Sequence, residues 1–128
     1  MSQFYKQKVG VALLLSQSDT TVASIVDVQT NAQLELPEHS ILLKTTWSAV
    51  VPLSSDCSDA TVQLVLCNPD NQHIHASPVY TLQDINQSQT CDTSVYYDQD
   101  KTTYKCPVLL LQSTCKVKGA VKIIFSYI

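Results

Sequence analysis

The sequence predicts an all-β fold, an antiparallel β-sandwich of about eight or nine strands in one domain, and three observations predict it. Apolar side chains recur at period two in several separate segments, clusters of turn-forming residues divide those segments, and no window sustains a capped helical period. The length agrees, because a chain of 128 residues removes roughly two-thirds of its unfolded surface from water and so supports its own core. No repeat, linker or low-complexity tract divides residues 1–128 into two units.

Phe4 to Leu15 is the first expected strand, with Val9, Val11, Leu13 and Leu15 at alternate positions. Lys6 and Lys8 before this run, and Thr21-Val22-Ala23 after it, resemble a short export signal, but Asp19 in the cleavage region and the alternation assign the run to a strand. Val22 to Gln29 and Gln33 to Leu36 are shorter candidates. Ile41, Leu43, Thr45, Trp47, Ala49 and Val51 then share one face of a long strand whose other face carries Lys44, Thr46 and Ser48, a half-buried pattern.

Val62, Leu64 and Leu66 repeat the pattern, and so do Ile74, Ala76, Tyr80 and Leu82 around Pro78. Proline cannot donate to a ladder, which marks that strand as an edge or as bulged. Gln83 to Gln89 is the one place for a single helical turn, followed by strands at Thr93 to Tyr97 and Tyr104 to Gln112. In the last strand Val117, Val121, Ile123, Phe125 and Tyr127 face one way, and Lys116, Lys118, Lys122 and Ser126 face the other. With only two glycines, left-handed turn positions are expected to fall to Asn and Asp, in loops such as Asp56-Cys57-Ser58-Asp59 and Asn68-Pro69-Asp70-Asn71.

Composition excludes several functions. Charged residues are 15% of the chain, against about a quarter in typical domains, so the surface is rich in Ser, Thr, Gln and Asn. Such neutral polar surfaces suit extracellular and assembly-forming β proteins. The basic residues are eight Lys with no Arg, spread among acids in a chain of net charge -3; this disfavours nucleic acid, whose recognition draws on clustered cations and Arg forks. No apolar run approaches the roughly 20 residues of a spanning helix, so membrane insertion is not expected.

The five cysteines, Cys57, Cys67, Cys91, Cys106 and Cys115, all lie in the second half and form no CxxC pair. An odd number leaves one thiol without an internal partner. In an oxidising compartment two bridges are expected, tying the Cys91 region to Cys106 or Cys115; in a reducing one all five are small buried apolar groups.

The stretch Asp98-Gln-Asp-Lys-Thr-Thr-Tyr-Lys-Cys106 places Asp100, Tyr104 and Cys106 at the spacing of the tyrosine corner in immunoglobulin domains, which it resembles, with Thr102 in place of the usual Gly. That family also places its core Trp between two cysteines, whereas Trp47 precedes every cysteine here. The expected connectivity is therefore immunoglobulin-like or jelly-roll. His73-Ile74-His75 resembles the His-x-His strand of cupins, where imidazoles two apart share one metal ion. The cupin glutamate and glycines do not follow, and an exterior solvated pair is the expectation. His39 lies beside Glu38 with no evident partner.

Gly10 and Gly119 stand isolated in strands, so no glycine-rich phosphate loop or nucleophile elbow is present, and Asp56, Asp59, Asp98 and Asp100 read as solvated turns. The C-terminal Ser126-Tyr127-Ile128 would suit a PDZ groove if free, but continues an apolar alternation. That last segment also resembles the final strand of chaperone-usher pilus subunits, in which case Val9 to Leu15 would be lent to a neighbour.

The expected function is a non-catalytic binding or assembly module without cofactor or metal. Its partner is another protein or a second copy of the chain, and its place is extracellular or on a virion surface, as a capsid-type or accessory protein or a secreted adhesion domain. Tyr96, Tyr97 and Tyr104 are the expected contact residues, since Tyr supplies contact area at low entropic cost. The alternatives are a cupin-like metal enzyme using His73 and His75 and a pilin-like subunit assembling by strand exchange.

Overall fold

The computed structural model describes residues 6–16, 19–37, 40–67, 73–96 and 106–128. These form ten strands and one short helix: β1 (Lys6–Ser16), β2 (Asp19–Ser24), β3 (Val26–Asp27), β4 (Ile41–Ser55), β5 (Thr61–Cys67), β6 (His73–Ala76), β7 (Tyr80–Thr81), α1 (Leu82–Asn86), β8 (Gln89–Tyr96), β9 (Cys106–Ser113) and β10 (Val117–Tyr127).

The strands make two antiparallel sheets. One has the order β3-β1-β10-β4-β8, the other β2-β9-β5-β6, with β7 paired to the far end of β5. Apart from the small β3 and β7, each sheet holds four strands, and the path passes from one sheet to the other between β1 and β2, β2 and β3, β4 and β5, β7 and β8, β8 and β9, and β9 and β10. This is the double-sheet jelly roll. An immunoglobulin sandwich would group its strands differently, so of the two expected connectivities the strand order selects the jelly roll.

The core lies between the sheets. Leu14 and Ile123 from the first sheet, Leu109 and Leu111 from the second, and Ile25, Leu34 and Leu36 from the segment around β3 are all buried there. Trp47 sits at its centre, edge-on to Tyr80 with ring centroids 5.1 Å apart. The Trp47 indole N–H donates to Thr45 Oγ1 at 2.7 Å, which satisfies two polar groups that burial would otherwise leave unpaired.

The expected inward faces of Val62, Leu64 and Leu66 and of Val117, Val121, Ile123, Phe125 and Tyr127 are buried as read. The long strand β4 differs. Trp47 and Thr45 point in, but Leu42 and Leu53 are the other buried residues, while Val51 is 53% exposed and Ile41, Leu43 and Ala49 are only half-buried. Register shifts against β10 on either side of Ala120 and between Ser126 and Tyr127 explain this: each bulge adds a residue to β4 and inverts the facing of the residues beyond it. Period two holds within each segment and fails across each bulge.

The single helical turn is α1, where Thr81 and Asp84 form a reciprocal capping box, with Asp84 N–H donating to Thr81 Oγ1 and Thr81 N–H to Asp84 Oδ2. Non-glycine residues with positive φ are Asn31 and Ser88 among the described residues, so Asn takes one such position as expected and Ser the other. β1 pairs along its whole length with β10 of its own chain, which corrects the expectation of a strand lent to a neighbour. Ile128 exchanges two backbone hydrogen bonds with Ile41, so the C-terminus is held against β4.

Candidate interaction surface

The outer face of the first sheet carries the most distinctive surface. In β1 the buried residues are Gly10, Ala12 and Leu14, whereas the alternating apolar set Val9, Val11 and Leu13 points outward, Leu13 being 62% exposed. The register aligns these side chains with apolar neighbours in adjacent rows. Leu13 stands opposite Ala120, which stands opposite Val51; Val11 opposes Val26; Val9 opposes Ile124 and is hydrogen-bonded to Val28. Isolated exposed apolar residues are ordinary, but contiguous rows mark contact surfaces. Lys122, directly opposite Val11, stands within this face, and Lys118, Lys44 and Gln7 flank it.

Gly119 shapes one end of this face. Its φ of +139° belongs to a region that L side chains rarely adopt, and a Cβ would lie 2.9 Å from both Leu53 Cα and Pro52 O. The close approach turns Leu53 into the core and leaves Val50 and Val51 side by side outside. Neither the outward phase of β1 nor this bulge is visible in hydropathy alone; the signal in β1 was the small set Gly10, Ala12 and Leu14, suited to the crowded side.

A cleft of about 300 Å³ opens beside α1, lined by Leu53, Ser54, Ala60, Thr81, Leu82 and Asn86 among others. Asn86 closes its floor: its Oδ1 accepts from Leu53 N–H at 2.8 Å and its Nδ2 donates to Leu53 C=O at 2.9 Å. Its described lining is hydroxyl, amide and apolar, and supplies neither an acid–base pair nor an activated nucleophile.

Two titratable groups are perturbed among the described residues. Tyr80 is pushed up to about 12, first by burial, then by the neighbouring Cys91 side chain and by the negative charge of Asp84. Asp59 is held below the usual carboxylate range, chiefly by the Thr114 hydroxyl, which donates to its Oδ2 at 2.7 Å. The first contributes to the core and the second ties the loop before β5 to the turn after β9.

Only some of the expected site residues fall among the described residues. Tyr96 ends β8 opposite Ile41, on an edge strand, while Tyr97 and Tyr104 lie outside the described residues, as do Asp98, Asp100 and His39. His73 and His75 are in β6, an edge of the second sheet, opposite Cys67 and Leu66 respectively. The β5–β6 register shifts between these two pairs. No group of three His, Cys, Asp or Glu residues is placed to hold a metal among the described residues.

Cys115 is bonded to Cys57, and Cys91 is buried as a free thiol. The expected bridges from Cys91 to Cys106 or Cys115 are thus corrected. Cys91 belongs to the first sheet, opposite Thr45, whereas Cys106 starts β9 in the second.

No protein-family model and no curated protein matches the chain. Among solved structures it is similar to a chain of the cyanophage Pam1 capsid asymmetric unit, with TM-score 0.56 and 12% identity over 99% of this chain and 88% of that one. Two others are similar at lower TM-scores. One comes from the acid-stable capsid of Helicobacter pylori bacteriophage KHP30, with TM-score 0.45, 10% identity and coverage of 98% and 97%. The other is the xylan-binding module CBM15, with TM-score 0.37, 11% identity and coverage of 97% of each chain. At such identities the likeness is one of fold, and the fold common to this chain and the Pam1 capsid chain is the two-sheet jelly roll.

Proposed function

We propose that the chain is a non-catalytic assembly module of a virion, whose copies associate through the outer face of the first sheet. The observation that carries this reading is the jelly-roll likeness spanning 99% of this chain and 88% of a Pam1 capsid chain. The exposed Leu13 and Val51, aligned across the buried Ala120, supply the contact surface, and the low charge of the remaining surface favours close packing of subunits. A virion surface also suits the Cys57–Cys115 disulfide, which persists where thiols are oxidised. Docking would proceed by shape complementarity over the rows, with the open edges of β8 and β2 available for strand pairing.

Sedimentation velocity and electron microscopy over a rising concentration series test the proposal. The expected result is an oligomer of defined mass that the double variant Leu13→Lys/Val51→Lys dissociates, with an unchanged circular dichroism spectrum. A chain that stays monomeric into the high-micromolar range overturns it. So does an oligomer indifferent to the double variant.

A further inference from the structure

The ladder between β5 and β9 brings Cys67, the last residue of β5, opposite Cys106, the first residue of β9. Directly opposed residues of an antiparallel pair have Cα atoms about 4.5–5.5 Å apart, inside the roughly 4.4–6.8 Å that a disulfide spans. The register partners preceding this pair on the ladder are Leu66 with Pro107 and Val65 with Val108, in unbroken sequence, so the match does not depend on a bulge. The opposite end of the same ladder is already bridged: Cys57 lies just before β5 and Cys115 just after β9, with Cα atoms 5.6 Å apart.

We propose that Cys67 and Cys106 form a second disulfide, so that the β5–β9 pair is closed covalently at both ends and Cys91 is the one remaining thiol. The arithmetic of five cysteines then resolves into two bridges on one strand pair and a single residue in the other sheet. Cys91 is 9% exposed, and this burial withholds it from exchange with either bridge. The second bridge anchors the points at which the chain leaves β5 and returns to β9, the end of the second sheet where β6 also pairs.

The bond forms at the expense of a disulfide-bearing oxidant. One cysteine thiolate attacks the oxidant R–S–S–R, releasing R–S⁻ and forming a mixed disulfide. The second thiolate then displaces the remaining R–S⁻, leaving the protein disulfide and two equivalents of R–SH once protons are taken up. Two electrons pass from the cysteine pair to the oxidant.

The test uses the full chain, equilibrated with a reduced and oxidised glutathione couple, denatured without reductant and alkylated with iodoacetamide. Intact mass is expected to rise by one label, carried by Cys91, and by five after reduction, matching the cysteine content. Proteolysis of the unreduced chain is expected to yield a peptide pair joined through Cys67 and Cys106. The single variant Cys67→Ser is expected to take two labels, at Cys91 and Cys106, and to keep Cys57 joined to Cys115. Three labels on the unmodified chain, at Cys67, Cys91 and Cys106, overturn the proposal. A peptide joining Cys91 to either residue, or a stoichiometric zinc ion protecting both thiols without a bridge, does so equally.

Discussion

Gly119→Ala should be among the most damaging single-methyl additions in the molecule, and Gly10→Ala provides its control. At Gly119 the added Cβ meets the backbone of the partner strand, 2.9 Å from Leu53 Cα and Pro52 O, at a φ of +139°. Backbone atoms cannot rotate away, so β10 and β4 must separate locally. The conformational strain is about 1–3 kcal/mol, and one or two lost ladder hydrogen bonds add about 1 kcal/mol each. The sum is about 2–5 kcal/mol.

At Gly10 the Cβ instead overlaps the side-chain ends Ile25 Cγ2 and Leu34 Cδ1, with Val26 O at 3.4 Å and no positive φ. Such overpacking costs about 1–3 kcal/mol because side chains can re-pack. For a chain of this length 1 kcal/mol corresponds to roughly 4 °C in Tm, so Gly119→Ala should lower Tm by roughly 8–20 °C, and Gly10→Ala by roughly 4–12 °C. Urea and thermal unfolding of the two variants beside the unmodified chain provide the measurement. A Gly119→Ala chain as stable as the parent, or less affected than Gly10→Ala, would refute the assignment of Gly119 to a backbone-constrained bulge.

Three other perturbations have definite expected outcomes. Asn86→Ala removes both hydrogen bonds to Leu53 and should cost about 1–3 kcal/mol in urea denaturation, with the loss localised by amide exchange to Leu53 and α1. Cys57→Ser removes the bridge to Cys115, which with the Cys67–Cys106 bond in place closes a ring of roughly 20 residues, and should cost about 3 kcal/mol under non-reducing conditions; reductant should erase the difference from the parent. Tyr80 predicts alkaline lability. The unfolded phenol ionises near 10 and the folded one at about 12, so between those values the unfolded state binds fewer protons and stability falls as pH rises, by about 3 kcal/mol in total. Tyr80→Phe should flatten that decline in denaturant midpoints without changing the profile below pH 10; an unchanged slope would refute the burial argument.

Strand existence was legible wherever one face of an unbroken ladder meets the core. β5 and β10 satisfy that condition over their apolar positions, and Val62, Leu64, Leu66, Val117 and Phe125 lie where alternation put them. β4 carries several bulges, and a bulge leaves no mark in hydropathy, so Val51 emerged outside and Leu42 inside. In β1 the larger apolar residues face out because Gly10 and Ala12 occupy a space that Ile25 and Leu34 already fill. The outward apolar face was missed because alternation shows that β1 has two faces without showing which one meets the core, and here the crowded side takes Gly10 and Ala12.

By itself the sequence determined an all-β sandwich of short alternating strands, a weakly charged surface and an odd thiol, because period, composition and count are local properties of the chain. Tertiary structure alone decided the jelly-roll order, the outward placement of Leu13 and Val51, and the pairing of Cys57 with Cys115. Each of those depends on which distant segments lie side by side, and alternation is the same whichever neighbour a strand takes.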